Sequence, residues 1–415
     1  MTHDTPPAPG DGFALPASIG NRETADGWRR WRLTRHTFVP APVIDRAAYH
    51  RLSSRRRAVY DLHRESTHCN IPLLETPMSV TVARMMRLRI RQGALKHGPT
   101  TRSGLMIDGG GYQGKTETAC EVAAAFEDAW LALNHQLNPD TIEGVTDLHT
   151  PVVYVQTPVT AKPKSTCKAV LDFFGADHKY LDLPGLVRQV RASLHDHGVR
   201  ALILDDITRL RMHRADDQDT LDLIRAFMSM NVTLVLIGID IPGSGLLGPA
   251  RRDPRTGQWV YQGPGSSTTW ADHAATQTQR RFDLVQLDKF RYDTPAEMAA
   301  WSAHLTGIEG QLRLLDAAPG MLTDATMPEY LFRRTDGVVG LLERLIEDGC
   351  ALAMETGTEK LTCKLLEGIE IDLGHSAAQR DPDEIPPVPP RTDRRRPRNT
   401  VFDDKGPADD ADEAA

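Results

Sequence analysis

Gly109-Gly110-Gly111-Tyr112-Gln113-Gly114-Lys115-Thr116 is the stretch whose reading decides the fold. It satisfies G-x-x-x-x-G-K-[ST] at every fixed position, and its flanks are those the pattern needs. Ahead of it, Gly104-Leu105-Met106-Ile107-Asp108 reads as a short buried strand; behind it, Glu117 to Trp130 carries apolar residues at helical spacing without Gly or Pro. Glycines let the backbone fold into a concave nest of inward-pointing amides, and the new helix adds its positive N-terminal end. In such a loop Gly109 to Gly114, with Lys115, Thr116 and Glu117, would surround the phosphates of a nucleoside triphosphate. Lys115 would reach the β- and γ-phosphates, and the Thr116 hydroxyl would ligate Mg²⁺.

Working outward, the pattern continues as alternating strands and helices. Pro151-Val152-Val153-Tyr154-Val155-Gln156-Thr157 is a second apolar strand, followed by helices through Cys167–Phe174 and Leu186–His195. Val199-Arg200-Ala201-Leu202-Ile203-Leu204-Asp205-Asp206 is a third strand ending in two carboxylates. An acid at the tip of a buried strand holds Mg²⁺, and its neighbour can orient an attacking water. Asp205 is therefore assigned to the metal and Asp206 to water activation, in the shorter of the two acidic side chains that could serve there. A helix over Thr220–Met230 and a strand over Val232–Gly238 follow, with Asp240 as the polar residue near its tip.

Residues 241–279 are rich in Gly, Pro and polar side chains and read as a long insertion with a turn and short hairpin strand near 251–261. Gln279-Arg280-Arg281-Phe282 then precedes a fifth strand over 284–287. In oligomeric ATPases an arginine there stabilises charge on the neighbouring subunit's γ-phosphate, so Arg281 is the expected catalytic cation, with Arg280 second. Continuous apolar strands alternating with helices predict an α/β fold: a five-stranded parallel sheet sandwiched by helices. From Thr294 onward only helices are expected, over 295–305, 326–334, 338–355 and 362–371, forming a small C-terminal lid with Thr362 as an N-cap and Arg344 on an exposed face.

The chain of 415 residues has room for more than one domain, and its 40% apolar and 25% charged content is that of a globular protein. A net charge of −7 gives no global attraction to nucleic acid, so any such contact must come from local patches. Cys69, Cys120, Cys167, Cys350 and Cys363 lack CxxC spacing and suggest buried thiols in a reducing cytoplasm. No membrane-spanning run is apparent, and a cytosolic protein is expected.

Five regions follow: a loose leader over 1–27, a helical extension over 28–80, the nucleotide-binding core over 81–292, the lid over 293–375, and a Pro/Arg-rich then acidic tail over 376–415. Trp28-Arg29-Arg30-Trp31-Arg32-Leu33-Thr34-Arg35 is open to two readings: an arm that docks nucleic acid or a partner, or two tryptophans packed on the next domain among solvated arginines. The helix over Thr81–Leu95 groups Val82, Met85, Met86 and Ile90 on one side. Its arginines 84, 87, 89 and 91 form either a solvated face or a contact for DNA phosphates.

The ordered set GGGYQGKT, PVVYVQTP, ALILDD, LVLIGID, QRRF and DGVVGLLERLIEDGCALA resembles the AAA+ ATPases of transposition modules, the TniB and TnsC type, over roughly residues 80–375. Two departures stand out: the length of the 241–279 insertion, and Ile239 where a small polar residue is usual. The resemblance implies an AAA+ P-loop NTPase using ATP and Mg²⁺, a homo-oligomeric ring or filament on double-stranded DNA, and a DDE-type transposase as partner. Two other readings share parts of the sequence. One is a helicase loader or replication initiator; the other is a slowly hydrolysing nucleotide switch that binds proteins.

Overall fold

The computed structural model describes residues 13–16, 20–139, 149–159, 162–209, 218–244, 250–252, 259–261 and 281–371. Its strands are β1 (Gly104–Asp108), β2 (Val152–Gln156), β3 (Ala201–Asp205), β4 (Thr233–Gly238), β5 (Ala250–Arg252), β6 (Trp259–Tyr261) and β7 (Phe282–Gln286). Five of them form a parallel sheet in the order β2-β3-β4-β1-β7. Interior strand β1 pairs Leu105 with Val235 of β4 and Met106 with Leu284 of β7. Strands β1, β3 and β4 are buried along their whole length, as their unbroken apolar runs require, whereas β7 at the sheet edge is only half-buried. Strands β5 and β6 pair antiparallel, so a short ribbon forms where the turn near 251–261 was expected. The remainder of the insertion after Ser244, Arg280 and the 376–415 tail lie outside the described residues.

The helices are α1 (Ala25–Thr34), α2 (Arg46–Arg51), α3 (Ser54–Cys69), α4 (Pro77–Ala94), α5 (Lys115–Leu137), α6 (Pro163–Phe173), α7 (Leu183–Asp196), α8 (Gln218–Met228), α9 (Pro295–Glu309), α10 (Met327–Thr335), α11 (Val339–Glu355) and α12 (Cys363–Glu367). Several bounds differ from the periodicity, each for a local reason. Helix α1 begins inside the expected leader because Thr24 caps it, accepting from Gly27 N at 3.1 Å. Helix α4 crosses the expected boundary at residue 81, since Pro77 occupies its first turn and Thr76 and Ser79 cap each other reciprocally at 2.8 and 3.0 Å. Helix α5 continues past Trp130 because no residue before Asn138 breaks it. Helix α12 stops at Glu367, ahead of Gly368, and Thr362 does cap its start. Of the five thiols, Cys120, Cys167 and Cys350 are buried as expected, whereas Cys69 is exposed and Cys363 half-buried. No helix among the described residues is long and apolar enough to cross a membrane.

Two apolar cores result, one around the sheet and one within the lid, with Met78 packed against both. Residues 25–69 touch both bodies. Trp28 is fully buried in the sheet core, where its indole donates to Glu127 at 2.9 Å and its ring stacks on Tyr154. Arg32 pairs with Glu127 at 3.1 Å and with Asp128; Arg35 pairs with Asp128 at 2.7 Å and Glu121 at 3.2 Å. The packing reading therefore holds for the two tryptophans, Trp28 within the core and Trp31 packed against it, and for solvated Arg29 and Arg30, whereas Arg32 and Arg35 are drawn into ion pairs with α5 instead of facing solvent. Helix α3 instead belongs to the lid: Arg64 is buried against Glu359, and His68 Nε2 accepts from Arg313 N at 2.9 Å.

His68 and His304 make the lid acid-sensitive. His304 lies against Phe290 and Trp301, and neither of its ring nitrogens has a hydrogen-bond partner among the described residues. Burial pushes both imidazoles down to about 4 from 6.5, and for His68 the Arg64 and Arg313 charges push the same way. Both are neutral in the fold while the unfolded chain takes up protons below pH ~6.5, so their contribution is complete above that pH and lost as pH falls towards ~4. Urea unfolding at pH ~5 is expected to show on the order of 1–3 kcal/mol less stability per histidine than at pH ~7.5. Equal midpoints would refute it.

Candidate nucleotide-binding site

The phosphate loop is held from below before it turns. At the end of β1 the Asp108 carbonyl accepts from Leu287 N at 2.8 Å, and its carboxylate accepts from Ile241 N at 3.0 Å. Gly109 then passes so close to the Leu287 carbonyl that no side chain would fit. Tyr112 (φ 59°) and Gly114 (φ 78°) take left-handed conformations, the second delivering the chain into α5 at Lys115. Lys115 Nζ donates to the carbonyls of Gly109 and Gly110 at 2.9 and 2.6 Å. Burial lowers the lysine's pKa, opposed by Asp108, Asp205 and Asp206, and burial raises that of Asp108. A desolvated ammonium inside a turn of amides is suited to a polyanion.

The carboxylate side of the candidate site is assembled from three elements. Thr116 Oγ1 at the start of α5 and the hydroxyl of Tyr154 on β2 both donate to Asp205 Oδ2, at 2.7 and 2.9 Å. Asp205 Oδ1 accepts from Asp206 N at 2.8 Å. Asp206 has a left-handed backbone (φ 52°), and its carboxylate accepts from Gln156 Nε2 on β2 at 2.9 Å. One hydroxyl and one carboxylate converging beside a phosphate loop fit Mg²⁺, which takes one or two protein ligands and completes its shell with phosphates and water. No cluster of three or more His, Cys, Asp or Glu suited to a metal occurs among the described residues, so an all-protein cage is not the arrangement found there.

The other expected site residues are distributed as follows. Gly111 and Gln113 lie in the loop, where the Gln113 amide sits beside Gly109 and Gly110. The Tyr112 side chain is exposed, and its carbonyl accepts from Gly340 N at 2.8 Å. A Cβ at Gly340 would lie 2.8 Å from that oxygen, so the first turn of α11 rests on the loop backbone only because residue 340 is glycine. Glu117 is held by Arg22 through two hydrogen bonds, at 2.8 and 3.1 Å. Asp240 is exposed, and its carboxylate lies over Gly243 of its own turn. Arg344 is exposed and 3.7 Å from Asp348. Arg281 is exposed at the start of β7, where its carbonyl accepts from Gly104 N. That is the end of the sheet opposite the phosphate loop, which follows the last residue of β1, so Arg281 does not join its own chain's site. A cavity of about 550 Å³, large enough for a small ligand, lies against Glu117, Thr118 and Glu121 of α5 and is walled by Trp31, Cys69 and Ile71.

Sequence reading missed Arg22, Tyr154, Gln156 and the contact made by Gly340. The one available signal was PVVYVQTP, where polar Tyr154 and Gln156 alternate with apolar residues at the strand's C-terminal end.

Residues 100–240 match the family model described as an AAA domain. No curated protein matches the chain. Among solved structures it is similar to the Aeropyrum pernix Orc1 protein in complex with DNA: 12% identity, 74% of this chain and 68% of that one, TM-score 0.48. It is also similar to the RuvB Holliday junction branch migration motor of Thermotoga maritima, with 13% identity, 69% and 66% covered and a TM-score of 0.36. AMPPCP-bound DnaA from Aquifex aeolicus matches with 14% identity, 70% and 65% covered and a TM-score of 0.35. The aligned part spans about two thirds of each of those chains. The matched model over residues 100–240, the strand order and the loop agree on one architecture: this chain has the AAA+ P-loop fold.

Proposed function

We propose that the protein is a Mg²⁺-dependent ATPase that assembles on duplex DNA as a homo-oligomer and regulates transposition, in the manner of the TniB and TnsC type, with a DDE-type transposase as partner. The observation that supports the ATPase reading is the Thr116 hydroxyl donating to Asp205 Oδ2 at 2.7 Å, one residue on from Lys115, whose ammonium lies inside the glycine loop. Bound Mg²⁺ would neutralise charge between the β- and γ-phosphates. Lys115 holds the phosphates, Asp206 aligns water, and Arg281 acts in the neighbouring subunit's site, which its position far from its own loop allows.

DNA contact is supported by α4. Arg84, Arg87 and Arg91 are exposed on one face, and none of them pairs with a carboxylate among the described residues; Arg89 does, with Asp283. At 1.5 Å per residue they span roughly 10 Å, the scale of two or three backbone phosphates. A slow nucleotide switch is the second reading, favoured by Asp206, whose short carboxylate is already engaged by Gln156.

The deciding experiment measures ATP hydrolysis and oligomer size with and without duplex DNA, for the wild type, Arg281→Ala and Arg84/Arg87/Arg91→Gln. DNA is expected to stimulate turnover, and Arg281→Ala to lose turnover while still binding nucleotide. The triple variant should flatten the salt dependence of log K for DNA by about 2–3. A monomer whose turnover ignores DNA would leave the switch.

A further inference from the structure

We propose that Arg22 is a positioning residue of the nucleotide site, through which the N-terminal segment sets the orientation of the metal-binding carboxylate. The inference rests on the ATP-site reading given above. Arg22 precedes α1 by one turn of chain, and its place there is fixed on both sides. The Asn21–Thr24 turn closes through Thr24 N to Asn21 O at 3.3 Å, and Asn21 O packs so tightly on Gly27 that a side chain at 27 would collide with it. Helix α1 is in turn riveted along α5 by Trp28, Arg32 and Arg35 on Glu121, Glu127 and Asp128. These contacts bring the guanidinium to the N-terminal end of α5, beside the phosphate loop.

There Arg22 touches both flanks of the metal site. Its two hydrogen bonds hold Glu117, the residue that follows Thr116. Its guanidinium lies 5.1 Å from the Trp31 ring and 5.7 Å from the Tyr154 ring. Tyr154 is the residue whose hydroxyl donates to Asp205 Oδ2, the oxygen that also takes the Thr116 hydroxyl. Arg22 thus bears on Thr116 through the backbone of Glu117 and on Asp205 through Tyr154. Were Thr116 to turn from Asp205 towards a bound cation, the Tyr154 hydroxyl would be the side-chain donor left on Oδ2, with the backbone Asp206 N on Oδ1. The ring of Tyr154 is held in place by Arg22 and by the stacked Trp28.

A purely structural strap is the alternative, and magnitudes separate the two. The Arg22 and Glu117 side chains are 24% and 54% exposed, and a solvent-exposed ion pair adds little to stability. Outer-shell partners of metal ligands, by contrast, change metal affinity ~10–100-fold. A positioning role predicts a large effect on metal with almost none on folding; a strap predicts the reverse.

The test uses the full chain with ATP and Mn²⁺ in place of Mg²⁺, reading bound Mn²⁺ by electron paramagnetic resonance in the wild type, Arg22→Ala, Tyr154→Phe and the double variant. Each single variant should weaken Mn²⁺ binding about 10-fold. The double should be no weaker than the worse single, since both act along one path. Metal-free ATP affinity should stay within about twofold, and the thermal midpoint of Arg22→Ala should hold. Wild-type Mn²⁺ affinity in Arg22→Ala, losses that multiply in the double variant, or an equal loss of metal-free ATP binding would each overturn the proposal. A wild type that binds no Mn²⁺ with ATP would instead remove the nucleotide-site reading beneath it.

Discussion

Lys115→Ala is expected to lower ATP turnover by about 10²–10³-fold, the usual loss when one preorganised charge is removed from a developing anion. The geometry explains why no neighbour can compensate. Lys115 Nζ is the cation inside the loop, seated 2.6 and 2.9 Å from the Gly110 and Gly109 carbonyls. Asp108, Asp205 and Asp206 are the charges acting on it, and all three are carboxylates. Without the ammonium, a triphosphate would meet three acids and two carbonyl oxygens. Affinity for a fluorescent ATP analogue should fall as well, because the contact is already made in the ground state, and turnover falls with it because the contact strengthens as charge develops. Turnover within twofold of wild type would show that hydrolysis in the preparation does not come from this site.

The second large effect is on stability. Arg64 in α3 is 1% exposed and donates to Glu359 at 2.7 and 3.1 Å, to Asp61 at 2.6 Å and to the Arg313 carbonyl at 3.2 Å. Glu359 also accepts from Leu315 N at 3.0 Å, and Tyr49 and Tyr60 present their rings 5.4 Å from the guanidinium. Arg64→Ala leaves Glu359 buried beside the gap, and breaking a buried pair from one side costs ~3–5 kcal/mol. Glu359→Ala should cost as much. The double change Arg64→Met/Glu359→Leu should recover most of it, since replacing both partners removes the uncompensated charge. Chemical unfolding followed by the fluorescence of Trp301, which is buried in the lid, reports the outcome. Single variants costing under about 1 kcal/mol would mean that the pair does not tie α3 to the lid.

These two residues differ in how they could be found. Lys115 stands in a local pattern: strand, glycine turn and helix lie within one short stretch, and their chemistry follows from residue types in order. Arg64 sits in a charged helix whose sequence, SRRRAVYDLHRES, gives no sign that one arginine of several is buried. Its buried partner Glu359 lies 295 positions away.

The same division runs through the whole molecule. The strands, the loop, the ordered carboxylates Asp205 and Asp206 and the helical lid were legible because each rests on periodicity or spacing over a few residues, set by backbone geometry and burial of a continuous apolar run. Bounds shifted at the first turn where caps such as Thr24 and Thr76 decide it, and at the last turn of α5 and α12, where the helix ran on to Leu137 or stopped ahead of Gly368. What the tertiary structure alone decided is which polar side chains meet across distant segments: Arg22 with Glu117, Tyr154 and Gln156 with the two carboxylates, Gly340 with the loop, and α3 with the lid. Such pairings depend on how the sheet orders β2 beside β3 and on where helices settle on it, which no local period encodes.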